Sequence, residues 1–206
     1  MEFSQVVRRR HMVRRYDAER PVPAEVLSEI LENACRAPSA GFSQGWDFVV
    51  LTSDEERARF WAASKEEEEE ETHWLRGMQA APVLVLCCSD KEAYLDRYAE
   101  PDKGWTDRSE SRWPVPYWDI DTGMAALLML LTATDHGLGG LFFGVAPECH
   151  DEVHEEFGIP RERTLIGVVA MGYEVPGPKS PSLKRGKRGA DQVVHWGRFG
   201  THAGSR

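Results

Sequence analysis

The sequence predicts an α+β domain in which helices outnumber strands. Three observations lead there. Apolar residues recur at helical spacing in several long segments. A few short apolar runs have the length of buried strands. The two kinds of element alternate with no regular βαβ rhythm. A chain of 206 residues is ample for one hydrophobic core.

The elements follow in order. A short helix starts after Ser4, and an extended basic stretch, Met12 to Tyr16, comes next. Pro23 suits a first helical position, and Val26, Leu27, Ile30, Leu31, Ala34 and Cys35 then recur on one face until Pro38 closes the helix. Phe48 to Leu51 is a strand. Ser53 with Glu56 is a capping-box pair that opens a long helical segment running to Pro82. Glu66 to Glu71 inside it form an unbroken acidic run, a solvated face with no catalytic role. Val83 to Cys87 is a buried strand, and Lys91 to Tyr98 is a short helix. Glu100 to Trp118 is a long irregular stretch carrying Trp105, Trp113 and Trp118. Such loops are usually functional or disordered, and its tryptophans either stack on a flat ligand or pack as core. Asp119 is placed to cap the following helix, which ends at Gly137. Its centre, Ala125 to Leu131, is apolar all round and so is buried in a core or between subunits. Gly139 to Gly144 leads to Pro147, a helix start, and Gly158 ends that helix. Leu165 to Met171 is another buried strand. The tail from Pro176 is rich in Pro, Gly and basic residues and holds a strand-like Val193 to Trp196.

Composition narrows the function. Acids outnumber bases 34 to 25, giving a net charge of −9, which disfavours a nucleic-acid or anionic-membrane surface. Cys35, Cys87, Cys88 and Cys149 contain no CxxC pair and read as free thiols of a cytoplasmic protein. No apolar run is long enough to span a bilayer, and the N-terminus lacks the apolar core of a signal peptide.

Several motifs compete. Gly41-Phe-Ser-Gln-Gly45 matches G-x-S-x-G, but a nucleophile elbow needs a strand before the serine and a helix after it, and here the order is reversed. His150 and His154 have zinc-ligand spacing on a helix, yet the glutamate of the zinc-protease pattern is Asp151 and no third ligand is evident, so no metal site is expected. The glycines from Gly137 to Gly144 fail the dinucleotide fingerprint, since Phe142 takes the third glycine position, but they leave main-chain N–H groups open to a flat ligand. Arg8, Arg9, Arg10, Arg14 and Arg15 form one basic cluster, and Lys184, Arg185, Lys187 and Arg188 form another. Either both are solvated patches or they converge on one phosphate.

Arg9 to Pro23 (RRHMVRRYDAERPVP), Ala37 to Val50 (APSAGFSQGWDFVV) and Gly137 to Gly144 (GLGGLFFG), in this order and spacing, resemble the FMN-dependent nitroreductase superfamily. The first is similar to that family's R-R-S-x-R-x-F…PV segment and the second to its A-P-S-x-x-N-x-Q-P-W-x-F. The likeness continues through Gly158-Ile-Pro160, Leu165 to Tyr173 and the basic segment before Val193-Val-His195, covering about residues 5 to 198. It implies a three-layer sandwich, a mostly antiparallel sheet flanked by helices, in an intertwined homodimer with two FMN molecules at its interface. Residues 1–206 would form one domain, with about 175–206 as an arm reaching the partner subunit.

The resemblance also assigns residues. Arg10, His11 and Arg14 fall at FMN-binding positions, with Arg10 on the phosphate and Arg14 near the flavin N1/O2 edge, where a cation favours the anionic reduced ring. Met12 stands where the family has a serine, Phe42 where it has an asparagine and Gly45 where it has a proline. Pro38, Ser39 and Ala40 would line the ring and ribityl chain, with Phe42 beside them and Gln44 hydrogen-bonding. Arg76 would approach the pyrimidine edge. Leu141, Phe142, Phe143 and Gly144 would pass the ring's other side, and Arg185 and Lys187 would grip the phosphate. No side chain is needed as a catalytic acid, because FMN carries the chemistry at N5. The implied reaction passes a hydride from NADH or NADPH to a small aromatic acceptor, a nitroaromatic or quinone, by a ping-pong mechanism. The alternatives are a specialised branch, reductive dehalogenase or flavin-cleaving enzyme, or a non-enzymatic FMN store.

Overall fold

Four strands, β1 (Trp46–Leu51), β2 (Val83–Asp90), β3 (Gly139–Phe143) and β4 (Arg163–Gly172), make one antiparallel sheet in the order β1-β2-β4-β3. The computed structural model describes residues 1–65, 72–178 and 180–202, so the acidic run Glu66 to Glu71 lies outside the described residues. The helices are α1 (Phe3–Arg9), α2 (Ala24–Ala34), α3 (Asp54–Ala63), α4 (His73–Gln79), α5 (Lys91–Ala99), α6 (Tyr117–Asp135), α7 (His150–Glu156) and α8 (Ala190–Val193). Two compact units divide the chain, Met1–Val175 and Pro176–Arg206.

Composition explains why β2 and β4 are central. Every residue from Val83 to Cys88 is buried, as a strand covered on both faces requires. The pleat sorts them. Leu84, Leu86 and Cys88 join Val168 and Ala170 in a core with Phe60 of α3 and Val153 of α7. Val83, Val85 and Cys87 join Val169 and Met171 in a second core with Ile30 and Ala34 of α2 and Met129 and Leu130 of α6. The first unit is therefore the expected α+β sandwich of three layers.

Local chemistry sets the helix ends. Ser53 Oγ accepts from the Glu56 N–H at 3.2 Å while the Glu56 carboxylate accepts from the Ser53 N–H at 2.9 Å, the reciprocal capping box read from the sequence. The helical segment it opens is two helices, not one. α3 stops at Ala63, and α4 restarts under its own cap, Thr72, whose Oγ1 accepts from the Leu75 N–H. Pro23 is the N-cap of α2, one position before the expected first turn. Asp119 does not cap α6. Pro116 is the N-cap, and Asp119 lies in the first turn, where a negative charge suits the helix dipole and its carboxylate takes the Ser89 hydroxyl at 2.5 Å. Gly137 (φ +75°) and Gly158 (φ +61°) end their helices in the left-handed region.

α6 buries one side, through Ala125, Ala126, Met129 and Ala133, while Ile120 and Leu127 stay nearly half exposed, at 44% and 47%. The apolar band is thus core on one side and open on the other. In the second unit, Val193 to Trp196 is not a strand: Val193 ends α8, and no neighbouring strand pairs with it among the described residues. Arg185 and Lys187 are exposed there, and the Phe199 ring packs 4.2 Å from His195.

Candidate functional site

The basic N-terminal segment is stitched to the β3 edge of the sheet. Met12 forms a parallel bridge with Gly140, and the Val13 N–H donates to the Gly140 carbonyl at 3.0 Å. Tyr16 fixes the far side, its buried hydroxyl donating to the Val13 and Ala170 carbonyls. The segment presents Arg10, whose Nη1 is buried with no hydrogen-bond partner. A buried, unpaired guanidinium nitrogen is costly unless a ligand completes it. His11 is engaged on both ring nitrogens, Nδ1 at 2.9 Å from the Arg9 carbonyl and Nε2 at 3.0 Å from the Glu174 carboxylate. Both can donate only when the ring is protonated, and the Arg9 carbonyl, then Glu174, raises its pKa above the usual 6.5.

α4 clamps the same segment. Arg14 lies over the Trp74 ring, 5.6 Å from its centroid. Gly77 meets the Arg14 backbone so closely that a Cβ there would fall 2.2 Å from its carbonyl oxygen. Arg76, next to Gly77, is exposed. Leu141, Phe142 and Phe143 direct their side chains into the two cores, so what β3 offers a ligand is main chain. Gly144, just past it, is exposed. Beside Gly144 lies a cavity of about 370 Å³ lined by Trp61, Ser64, Leu75 and Gln79 among others. Trp61 stacks on Phe143 at 5.6 Å and 7°, its buried Nε1 unpartnered.

The second group of expected residues sits on the loop before β1. Pro38 is exposed, and a short 3-10 turn spans Ala40–Phe42. Gly41 (φ +63°), Phe42 (φ +58°) and Gln44 (φ +51°) are all left-handed, which is free for glycine but strained for phenylalanine. The loop is held from every side. The buried Asp121 carboxylate of α6 accepts from both the Ala40 N–H and the Tyr94 hydroxyl at 2.8 Å. Arg97 Nε donates to the Gly41 carbonyl, Ser43 Oγ to the Ala40 carbonyl, and the Gln44 N–H to Ser39 Oγ. Burial, then the bond to Asp121, pushes the Tyr94 phenol pKa far up, so it remains a donor. Gly45 has a steric reason: a Cβ would lie 2.5 Å from the Tyr94 ring and 2.6 Å from the Asp90 carbonyl oxygen. Trp105, Trp113 and Trp118 join Tyr94, Tyr98 and Tyr117 in one aromatic cluster centred on Trp113, which packs Tyr94 and Tyr98 beneath this loop.

The two groups occupy diagonal corners of the first unit. Gly140, bridged to Met12, pairs with Met171 of β4, whereas Trp46 pairs with Ser89, which pairs with Thr164 of the same strand. The seven-residue step from Thr164 to Met171 separates the corners by roughly 23 Å along the strands, and three strand spacings add roughly 14 Å across the sheet. α6 gives the same measure: it accepts Ala40 at Asp121 and the Met1 ammonium at Asp135, fourteen residues or about 21 Å apart.

The competing motifs lose ground. Ser43 spends its hydroxyl on Ala40, with a 3-10 turn before it and a strand after, the reverse of a nucleophile elbow. His150 and His154 stack at 6.5 Å, and among the described residues no group of three or more His, Cys, Asp or Glu could hold a metal. Asp121, Tyr94, Trp61 and Trp74, which order these corners, carried no sequence signal, because each acts through a partner distant in the chain.

Known structures share this architecture. A nitroreductase family protein from Clostridium difficile superposes with a TM-score of 0.72 at 25% identity, covering 97% of this chain and all of that one. A nitroreductase from Exiguobacterium sibiricum, solved in complex with FMN, superposes at 0.70 with 21% identity, covering 95% and 97%. The family model described as the Nitroreductase family matches residues 7–173, and the chain belongs to that family of FMN-dependent oxidoreductases. Curated relatives include an NADH dehydrogenase of Thermus thermophilus, 28% identical over 91% of this chain and 92% of its own length. A second is iodotyrosine deiodinase 1 of Rattus norvegicus, 24% identical over 94% and 68%. Among the described residues no helix is long and apolar enough to cross a membrane.

Proposed function

We propose that this protein is an FMN-dependent NAD(P)H oxidoreductase acting as a homodimer on a small aromatic acceptor, a nitroaromatic or a quinone. The observation that carries the reading is Arg10. A buried guanidinium nitrogen without a partner fits an anion such as the FMN phosphate, and it lies on the segment whose sequence pattern matches the family. FMN, when bound, would supply the redox chemistry between NADH or NADPH and the acceptor.

The chain's own residues bind and orient. Arg10 holds phosphate. Arg14, steadied by Trp74, sets a positive charge at the pyrimidine edge, with Arg76 beside it. Gly144 and the β3 main chain flank the ring. The diagonal placement of the loop bearing Ser39 to Gln44 supports a site completed across a two-fold, each flavin taking that loop from the partner. The open side of α6, with Ile120 and Leu127, is the surface we assign to the dimer. Free cysteines suit a reducing cytoplasm.

The test is the visible spectrum of the purified protein before and after anaerobic NADH or NADPH. Flavin absorbance that bleaches supports the oxidoreductase. A yellow protein that neither nucleotide bleaches indicates an FMN store, and a colourless one unable to take up FMN refutes the reading. The match to iodotyrosine deiodinase 1 over 94% of the chain favours one second reading, reductive dehalogenation, which halide release from an iodinated phenol would reveal.

A further inference from the structure

We propose that Phe42 is a specificity-determining residue, an aromatic plate against which a planar acceptor stacks. The inference rests on the flavoenzyme reading and adds the feature that selects its substrate. Phe42 is 75% exposed, although it belongs to a loop bound at almost every other residue. Its φ of +58° is a strained conformation for a phenylalanine and one that asparagine adopts readily. Asparagine is the residue the family pattern has at this position. Folding alone therefore favours Asn here, and packing within the chain does not explain Phe, because the ring packs into neither core.

What the structure does provide is rigidity. Gly41 is seated on the Tyr98 ring, which a Cβ would approach to 2.6 Å, and Tyr98 packs on Trp105 and Trp113. The aromatic cluster thus backs the loop and holds the Phe42 backbone in one pose. A rigidly held, outward ring at a site for flat molecules loses little entropy on stacking. The occupant it suits is planar and aromatic. A compact inorganic acceptor gains nothing from it.

The experiment compares kcat/KM for menadione, a planar bicyclic quinone, with that for ferricyanide, using FMN-loaded wild type, F42N and F42L with the same nicotinamide donor. F42N relieves the backbone strain, so its folding is secure, and F42L keeps apolar bulk without a π face. The expected result is a fall in the menadione-to-ferricyanide ratio of roughly 2- to 10-fold in both variants, carried by the KM for menadione. An unchanged ratio overturns the proposal. So does a ratio that falls in F42N alone, which would make apolar bulk rather than stacking the cause. Dissociation of the dimer in F42N, seen by size-exclusion chromatography, also overturns it, since the ring would then be an interface contact. Wild type that oxidises NADH or NADPH with neither acceptor refutes the flavoenzyme reading itself.

Discussion

Replacing Asp121 with alanine tests the account of how the loop before β1 is held. The side chain is 2% exposed and accepts two hydrogen bonds of 2.8 Å, from the Ala40 N–H and the Tyr94 hydroxyl. Hydrogen bonds to a charged group contribute about 1.5–3 kcal/mol each, and their loss here strands two donors, so D121A should cost about 3–5 kcal/mol. In a chain of this size that lowers Tm by roughly 6–20 °C. Y94F removes only one donor and should cost about 1–2 kcal/mol. Adding Y94F to D121A should then cost little further, because the tyrosine's partner is already gone. Urea unfolding followed by tryptophan fluorescence, at fixed protein and FMN concentrations, measures all three, with Trp113 and Trp118 beside Tyr94 as reporters. D121A within 1 kcal/mol of wild type, or Y94F as damaging as D121A, would refute the claim that this carboxylate pins the loop.

Other expectations follow from single features. R10A should weaken FMN binding on the order of 10- to 100-fold while leaving the apoprotein no less stable, because the Nη1 it removes is unpaired; flavin titration and apoprotein melting check both halves. Of the four cysteines only exposed Cys35 should react quickly with Ellman's reagent in the native protein. Burial pushes the Cys88 thiol to about 12 and raises Cys87 further, so two or more fast thiols would contradict the buried assignment. His11 should titrate above 6.5 by NMR, and E174Q should bring it down. Because its folded pKa is raised, the stability it contributes is complete below pH 6.5 and fades as pH rises through the elevated value, the opposite of a salt-bridged carboxylate.

What the sequence revealed depended on how local the cause was. β2 and β4 were legible because unbroken apolar runs have one explanation at that length. The Ser53–Glu56 box and the turns at Gly137 and Gly158 were legible because capping is settled within a few residues. Errors arose where a distant partner decides. Asp119 looks like a cap, but Ser89, thirty residues earlier, claims its carboxylate. The apolar band of α6, read as buried in a core or between subunits, is no such error, but only neighbours in space determine which side the first unit covers. Val193 and Val194 have strand composition, but among the described residues no strand pairs with them, and Val193 ends a short helix instead. The candidate residues were legible by pattern. The buttresses behind them, Asp121, Tyr94, Trp74 and Trp61, were not.

The diagonal separation of the two groups makes one last demand. If each flavin takes Arg10 from one subunit and the loop from the other, two inactive variants should complement. R10A disables the phosphate end. G41V disables the loop end, since Gly41 is left-handed and a Cβ there meets Tyr98 at 2.6 Å. In a mixed dimer, one site combines the intact Arg10 of the G41V subunit with the intact loop of the R10A subunit, and the other site carries both defects. Co-expression at equal levels makes half the dimers mixed, each with one sound site of two, so activity should return to roughly a quarter of wild type. Isolated mixed dimers, separated by two different affinity tags, should show about half. A site contained within one subunit predicts no recovery at any ratio, because every subunit then carries a broken half. Complementation therefore decides between the two arrangements with no structure of the complex, and its absence, with both variants folded and dimeric, would require one subunit to span the diagonal by itself.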